Sequence, residues 1–308
     1  MRLLVYEFIT GGGLLNQPLP ESLAHEGNQM LQALVADLSS IASIDVVVTR
    51  DARLPMLSTA VEQIRLEAGD DFPSLWKSLL REVDAVWPIA PESDGQLERL
   101  CDDVLKAGCV LLNSGPECVN LAASKRRTLI QLAEYGIPVV PGYSKNDSVP
   151  VGASTWVVKP DDGAGCEGIR LFDSLEQARL AVGDGIIQPY LQGESLSLSL
   201  ICHQGKAELL SINRQQIRRT DDTLKLDGCI ADCSGALAQS YLQLASDIVA
   251  AMPGLWGYAG VDLLHCDQGI KVVEVNPRLT TSYAMMPRRP GFNPAQKVLD
   301  LLPANQSK

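Results

Sequence analysis

Near its carboxyl end the chain reads Val272-Val273-Glu274-Val275-Asn276-Pro277-Arg278, with a carboxylate and an amide two residues apart and then an arginine. Side chains repeat every second residue along a strand, so Glu274 and Asn276 share a face. Oxygen donors paired in this way suit a hard divalent cation such as Mg²⁺. Pro277 ends the ladder, and Arg278 adds a permanent positive charge just past it. Upstream, Gly257-Tyr258-Ala259-Gly260-Val261-Asp262-Leu263-Leu264 reads as a neighbouring strand with one acid in an apolar run. A hairpin with polar residues on its solvent face would explain a lone pair of acids. Two acids, an amide and an arginine in this order point instead to a metal and phosphate site, which calls for a nucleotide.

Other stretches could serve that nucleotide. Lys159 closes the apolar run Thr155-Trp156-Val157-Val158, where an ammonium is costly unless it meets an anion or reaches solvent. The turn that follows, with Gly163, Gly165 and Gly168, can fold over phosphates and release them, because glycines lower local stability. Ser124 suits the N-cap of a helix closed by Gly136. Lys125, at the start of that helix, would by itself be a solvated surface charge. Gly185-Ile186-Ile187-Gln188 reads as a strand that Pro189 excludes from the centre of a sheet. The peptide groups of Gln188, Pro189, Tyr190 and Leu191 are then left for a planar heterocycle, and Glu194 could accept from ribose hydroxyls. At the other end, Thr10-Gly11-Gly12-Gly13 carries neither a Gly-x-Gly-x-x-Gly fingerprint nor a Gly-Lys-Ser/Thr continuation. Glycines here permit close backbone approach and expose N–H groups to an anion. Glu7, Thr10, Gly11 and Gly12 are thus a candidate substrate rim; the alternative is a turn that simply needs positive φ.

The elements that must position these residues follow from pattern. Strands at Leu3–Tyr6, Ile44–Val48, Asp84–Ile89 and Cys109–Leu112 alternate with helices whose apolar stripes begin near Glu21, Phe72 and Gly95. Such alternation predicts a doubly wound parallel sheet with ligands beyond the carboxyl ends of its strands. From about Ser114 the pattern changes, and Leu196–Ile201, Ala207–Ile212 and the run through Arg214 read as antiparallel strands before a helix from Gly235 to Met252. The expected division is an α/β domain over 1–114, a smaller lobe with the glycine-rich loop over 115–190, and a larger lobe with the metal residues over 191–308. A chain of 308 residues is long enough for such lobes. Lys+Arg 26 against Asp+Glu 37 gives −11, which argues against nucleic acid or an anionic membrane as partner. No apolar run reaches the length of a membrane span, and the N-terminus has no signal-peptide layout. Eight scattered cysteines without a Cys-x-x-Cys pair read as reduced thiols of a cytoplasmic protein, with no zinc site.

Taken in order, Lys125, Lys159 with its glycine turn, the Gln188–Glu194 linker and the Asp262, Glu274, Asn276 set resemble the ATP-grasp superfamily over nearly the whole chain. The resemblance implies an N-terminal pre-ATP-grasp α/β domain followed by two α+β lobes that hold ATP. Lys125 and Lys159 would then contact phosphates, the Gln188–Leu191 backbone would read adenine, and Glu194 the ribose. Asp262, Glu274 and Asn276 would hold two Mg²⁺ or Mn²⁺ ions, and Arg278 would steady an acyl phosphate and the tetrahedral intermediate. The opening Tyr6-Glu7-Phe8-Ile9-Thr10-Gly11-Gly12-Gly13 and Asn213-Arg214-Gln215 resemble the branch of tyramine–glutamate ligases, which serve methanofuran-type cofactor synthesis. That branch implies γ-glutamylation of an amine, with Arg214 on an acyl or carboxylate group, small-molecule acid and amine partners, and room for a homodimer. Kinase or carboxylase chemistry on the same fold, or a nucleotide-binding regulator without turnover, are the competing readings.

Overall fold

A computed structural model describes residues 1–150, 152–163, 168–232, 238–287 and 289–303. The first lobe runs β1 (Arg2–Glu7), α1 (Glu21–Ser39), β2 (Asp45–Asp51), β3 (Glu62–Leu66), α2 (Phe72–Glu82), β4 (Ala85–Ile89), α3 (Gln96–Lys106) and β5 (Val110–Leu111). Its five strands are parallel in the order β3-β2-β1-β4-β5. Alternate residues of the strands feed the two faces, as the two-residue period requires. Leu3, Val5, Val46, Val48 and Trp87 pack on Leu31, Leu34 and Leu38 of α1. Leu4, Tyr6, Val47 and Val86 pack on Trp76 and Leu79 of α2 and Leu97 of α3. The doubly wound sheet is as the alternation predicts, with one strand more. β3 escapes the pattern because Glu-Gln-Ile-Arg-Leu is an edge strand with two apolar residues, of which Ile64 is partly exposed and Leu66 buried. The strand order reverses between β1 and β4, so the crevice expected to take ligands lies past Glu7 and Ile89.

Two short helices follow, α4 (Pro116–Ala123) and α5 (Lys125–Glu134). A three-stranded sheet, order β7-β6-β8, is built from β6 (Trp156–Lys159), β7 (Arg170–Phe172) and β8 (Ile186–Pro189), and α6 (Leu175–Ala181) covers it. Trp156, Val158, Ala178 and Ile187 form its core. β8 has β6 as its ladder neighbour and ends at Pro189, the edge position that a proline tolerates.

The chain then crosses to an antiparallel five-stranded sheet, order β11-β10-β9-β12-β13. It comprises β9 (Gly193–His203), β10 (Lys206–Arg219), β11 (Leu224–Asp232), α7 (Ala238–Ala251), β12 (Gly257–Cys266) and β13 (Gly269–Asn276). One face is apolar: Leu196, Leu198, Val261 and Leu263 pack on Ile248 of α7 and on Leu129 and Leu132 of α5. The other face carries Ser197, Asp262 and Glu274 side by side, since Asp262 pairs with both of the others in register. The closing helices α8 (Thr281–Met285) and α9 (Pro294–Leu299) return to α1, where Tyr283, Met286 and Val298 join the core of the first lobe. Among the described residues, no helix is long and apolar enough to cross a membrane.

Candidate active site

Two of the expected lysines converge on one expected carboxylate. The Lys125 and Lys159 ammonium groups lie 3.5 and 4.0 Å from Glu274 Oε2, although they arrive from α5 and β6. Local chemistry sets each of them. Ser124 caps α5 by accepting from the Arg127 N–H, and its hydroxyl donates to Asp161 at 2.6 Å. Asp161 also accepts from the Arg126 N–H at 2.8 Å, which docks the helix start on the turn after Lys159. An acid at a helix N-terminus is favourable because it meets unpaired N–H groups. Lys125 then reaches the carbonyl of Gly163 in the glycine turn.

Asp262 faces Glu274 across the β12–β13 ladder, with a bulge immediately after it. Gln215 of β10 donates to Asp262 at 2.9 Å. Burial and the neighbouring Glu274 charge raise the Asp262 carboxyl well above the ordinary carboxylate range, against the pull of Lys159, Gln215 and Arg278. Two acids pressed together in this way favour any cation that can enter between them. With the Asn276 amide two residues from Glu274, the donor set fits a hard, oxygen-seeking divalent ion such as Mg²⁺ or Mn²⁺.

Arg278 crosses to the first lobe. Its Nε and Nη2 donate to Glu92 Oε1 and Oε2 at 3.0 and 2.9 Å, and Nη1 donates to the Leu279 carbonyl at 3.2 Å. Burial works against the charge, but Glu92 first, then Glu274 and Asp262, hold Arg278 firmly protonated. A narrow cleft lies between these groups, lined by Glu92, Ala123, Lys125, Gly163, Glu274 and Asn276. It joins all three lobes, and its lining among the described residues holds a lysine, acids and an amide but no cysteine, serine or histidine.

A family model described as the ATP-grasp domain matches residues 122–282, and one described as the pre ATP-grasp 3 domain matches 44–119. The chain belongs to the ATP-grasp family. Curated relatives include the tyramine–L-glutamate ligase of Methanocaldococcus jannaschii, 25% identical over 91% of this chain and 83% of the relative. The ligase of the same name from Methanocaldococcus fervens is 26% identical over 91% and 87%. Among solved structures, an ATP-grasp superfamily protein from Archaeoglobus fulgidus superposes with a TM-score of 0.77 at 22% identity, covering 97% of this chain and 88% of that one. The ATP-grasp fold, with its N-terminal parallel sheet and antiparallel sheets behind it, is therefore established for this chain.

Within that ATP-grasp frame most of the remaining candidates lie outside the cleft lining. Arg214 alternates with Asn213 and Gln215, so it lies on the opposite face of β10 from Asp262 and pairs with the half-exposed Glu194. Its neighbours face the site instead. Asn213 is fully buried and donates to Ser197 and Ser199, and Gln215 holds Asp262. Gln188 is buried and spends its amide on the Val140 carbonyl at 2.8 Å, while the Tyr190 N–H is used by Thr155. Pro189, Tyr190 and Leu191 are partly exposed on the strap between the two antiparallel sheets. The Arg219 guanidinium lies over the Tyr190 ring at 4.9 Å.

The N-terminal rim is a packed turn. The Glu7 carboxylate accepts from the Ile9 and Thr10 N–H groups and from the Thr10 hydroxyl, the last at 2.6 Å. Burial raises its pKa, although the Thr10 bonds and Arg50 act against that. Gly11 accepts from Thr49, and a side chain on Gly12 would strike Leu66 at 2.5 Å. None of Glu7, Thr10, Gly11 and Gly12 lines the cleft, because their polar atoms meet protein partners and their small size serves packing. Gly163 is at the cleft; Gly165 lies outside the described residues. Glu92, Asp161 and Gln215 are additions to the expected set of site residues. Glu92 had one available signal, its place just past the end of a parallel strand at the order reversal.

Proposed function

We propose that this protein is an ATP-dependent carboxylate–amine ligase, with glutamate as the acid and tyramine or a similar aryl-ethylamine as the amine. The observation that carries the ligase reading is a cleft lined by Glu92, Lys125, Glu274 and Asn276, with Arg278 pinned to Glu92 and no nucleophilic side chain in its lining among the described residues. Phosphoryl transfer needs positioning and neutralisation of charge, and this inventory supplies both. The substrate assignment draws on the two tyramine–L-glutamate ligases among the relatives, and a methanofuran-type pathway is part of the same proposal.

In this mechanism Lys125 and Lys159 neutralise phosphate oxygens of ATP, and the acid's carboxylate attacks the γ-phosphorus. ADP leaves, and an acyl phosphate remains on the acid. The amine nitrogen adds to its carbonyl carbon, Arg278 holds the oxyanion, and collapse expels phosphate as the amide forms. Removing one preorganised donor from such an oxyanion costs about 10²–10³ in kcat in well-studied cases. Asp262, Glu274 and Asn276 would hold the divalent ion, which when bound supplies further neutralisation of phosphate charge.

Phosphate release is to be measured against a panel of acids and amines, with mass detection of the product. The reading requires release that depends on both substrates and an amide of the summed mass less water. Phosphate release that never depends on an amine overturns it. Transfer of ¹⁸O from the acid's carboxyl into phosphate separates ligation from kinase chemistry, which leaves the labelled oxygen on the substrate.

A further inference from the structure

Glu92 has no part in the steps above, yet it is the residue that Arg278 is tied to. It is 6% exposed, and its two carboxylate oxygens take Nε and Nη2 of Arg278, a residue that is itself 9% exposed. A side-on, two-bond pair fixes the plane of a guanidinium as well as its position. Three of the five donors of Arg278 are thereby committed, two to Glu92 and one to the Leu279 carbonyl, so one on each Nη is left.

The loop that carries Glu92 is itself held. Ser93 donates to the Asp162 carbonyl at 3.1 Å, and the Asp94 N–H donates to the Asp162 carboxylate at 3.2 Å, which ties the loop to the glycine turn. Asp94 adopts φ +53 and Gly95 φ +64, a left-handed pair that turns the chain sharply into α3. The carboxylate therefore sits at a defined point between the end of β4, the glycine turn and the Asn276-Pro277-Arg278 segment. The competing anions are close in sequence and charge. Glu274 and Asp262 also attract Arg278, and without Glu92 the guanidinium would be drawn onto them.

We propose that Glu92 is a positioning residue of the first lobe: it orients the Arg278 guanidinium toward the reacting group and keeps it off the metal carboxylates. The proposal rests on the ligase reading above. Its consequence is a separation of effects. Arg278 released from Glu92 becomes a partner for the ground state or for Glu274, so turnover falls while ATP binding is spared.

The test uses the full chain and Glu92→Gln, which keeps the shape and one acceptor but loses the charge. The result expected is a fall in kcat of about 10²-fold, with the KM for ATP within about twofold. Mn²⁺ bound by the same variant, measured by electron paramagnetic resonance, should weaken by about tenfold, because Arg278 then competes for Glu274 and Asp262. In an Arg278→Ala background the same substitution should cost no further turnover, since both changes remove one interaction. A kcat for Glu92→Gln within twofold of wild type, or losses that multiply in the double variant, overturns the proposal. If Glu92→Gln does not fold, Glu92→Asp replaces it, and an unchanged kcat with the shortened carboxylate counts against the proposal equally. Wild-type protein whose phosphate release ignores the amine overturns the ligase reading itself, a result distinguishable from a silent Glu92.

Discussion

At the scale of single residues the site is a balance of buried charges. Arg278, Lys125 and Lys159 face Glu274, Asp262 and Glu92, each cation set by a different element. Arg278→Ala should lower kcat by about 10²–10³ while calorimetry finds ATP affinity within about threefold, because the oxyanion develops only in the transition state. Equal losses in turnover and ATP affinity would move Arg278 into ground-state binding. Asp262 makes a second prediction. Its carboxyl is raised by burial and by Glu274, so a proton held there must leave before a cation enters. Mn²⁺ affinity should therefore climb as pH rises through that raised pKa and fall away below it, and Asp262→Asn should flatten the profile as it weakens binding.

Elements deliver these groups, and small features decide whether they do. The first turn of α5 is docked by Ser124 and Asp161, which share a 2.6 Å hydrogen bond. Ser124→Ala should cost about 1 kcal/mol of stability, the usual value of a lost cap, and should raise the KM for ATP by loosening Lys125. Denaturant unfolding and steady-state kinetics on one preparation check both halves. The triple glycine tests the opposite idea, an element that serves packing. Gly12 has φ +101, and a Cβ there would lie 2.5 Å from Leu66 Cδ1. Gly12→Val should lower stability by roughly 2 kcal/mol or more while the Michaelis constants of surviving protein stay near wild type. A raised acid or amine KM without loss of stability would restore that turn to the substrate site.

The whole molecule closes through its ends. α8 and α9 lie on α1, and the Tyr283 hydroxyl donates to Asp37 at 2.6 Å from a fully buried ring. Tyr258 stacks edge-on against that ring at 5.4 Å and bonds Ser199 on the site face of the large sheet. The segment after Arg278 is thus fastened both to the first lobe and to the strand beside Asp262. Tyr283→Phe should cost about 1–3 kcal/mol, the penalty for a buried acceptor that loses a donor, and calorimetry would register it. On the far side of the cleft the tip of the β10–β11 hairpin accepts from Leu171 through the Asp222 carbonyl, a link between the small and large sheets.

The sequence by itself determined the fold class and pointed to Lys125, Lys159 and Glu274, which the structure brings together. Period-two and helical patterns are local, and Glu274-Val275-Asn276-Pro277-Arg278 declares its geometry through strand alternation alone. Only the tertiary structure decided which long-range partners these groups take. Nothing near Arg278 in the chain announces Glu92, 186 positions away, because an ion pair between lobes leaves no periodic trace. Arg214 and Gln215 are adjacent in sequence, yet strand alternation sends the first to Glu194 and the second to Asp262 once the face of β10 is known. The packing around the N-terminal Gly11-Gly12-Gly13 was hidden for a related reason. Glycine is required wherever backbone comes close, and only the packed neighbours Glu7, Thr49 and Leu66 reveal that the close partner is the protein.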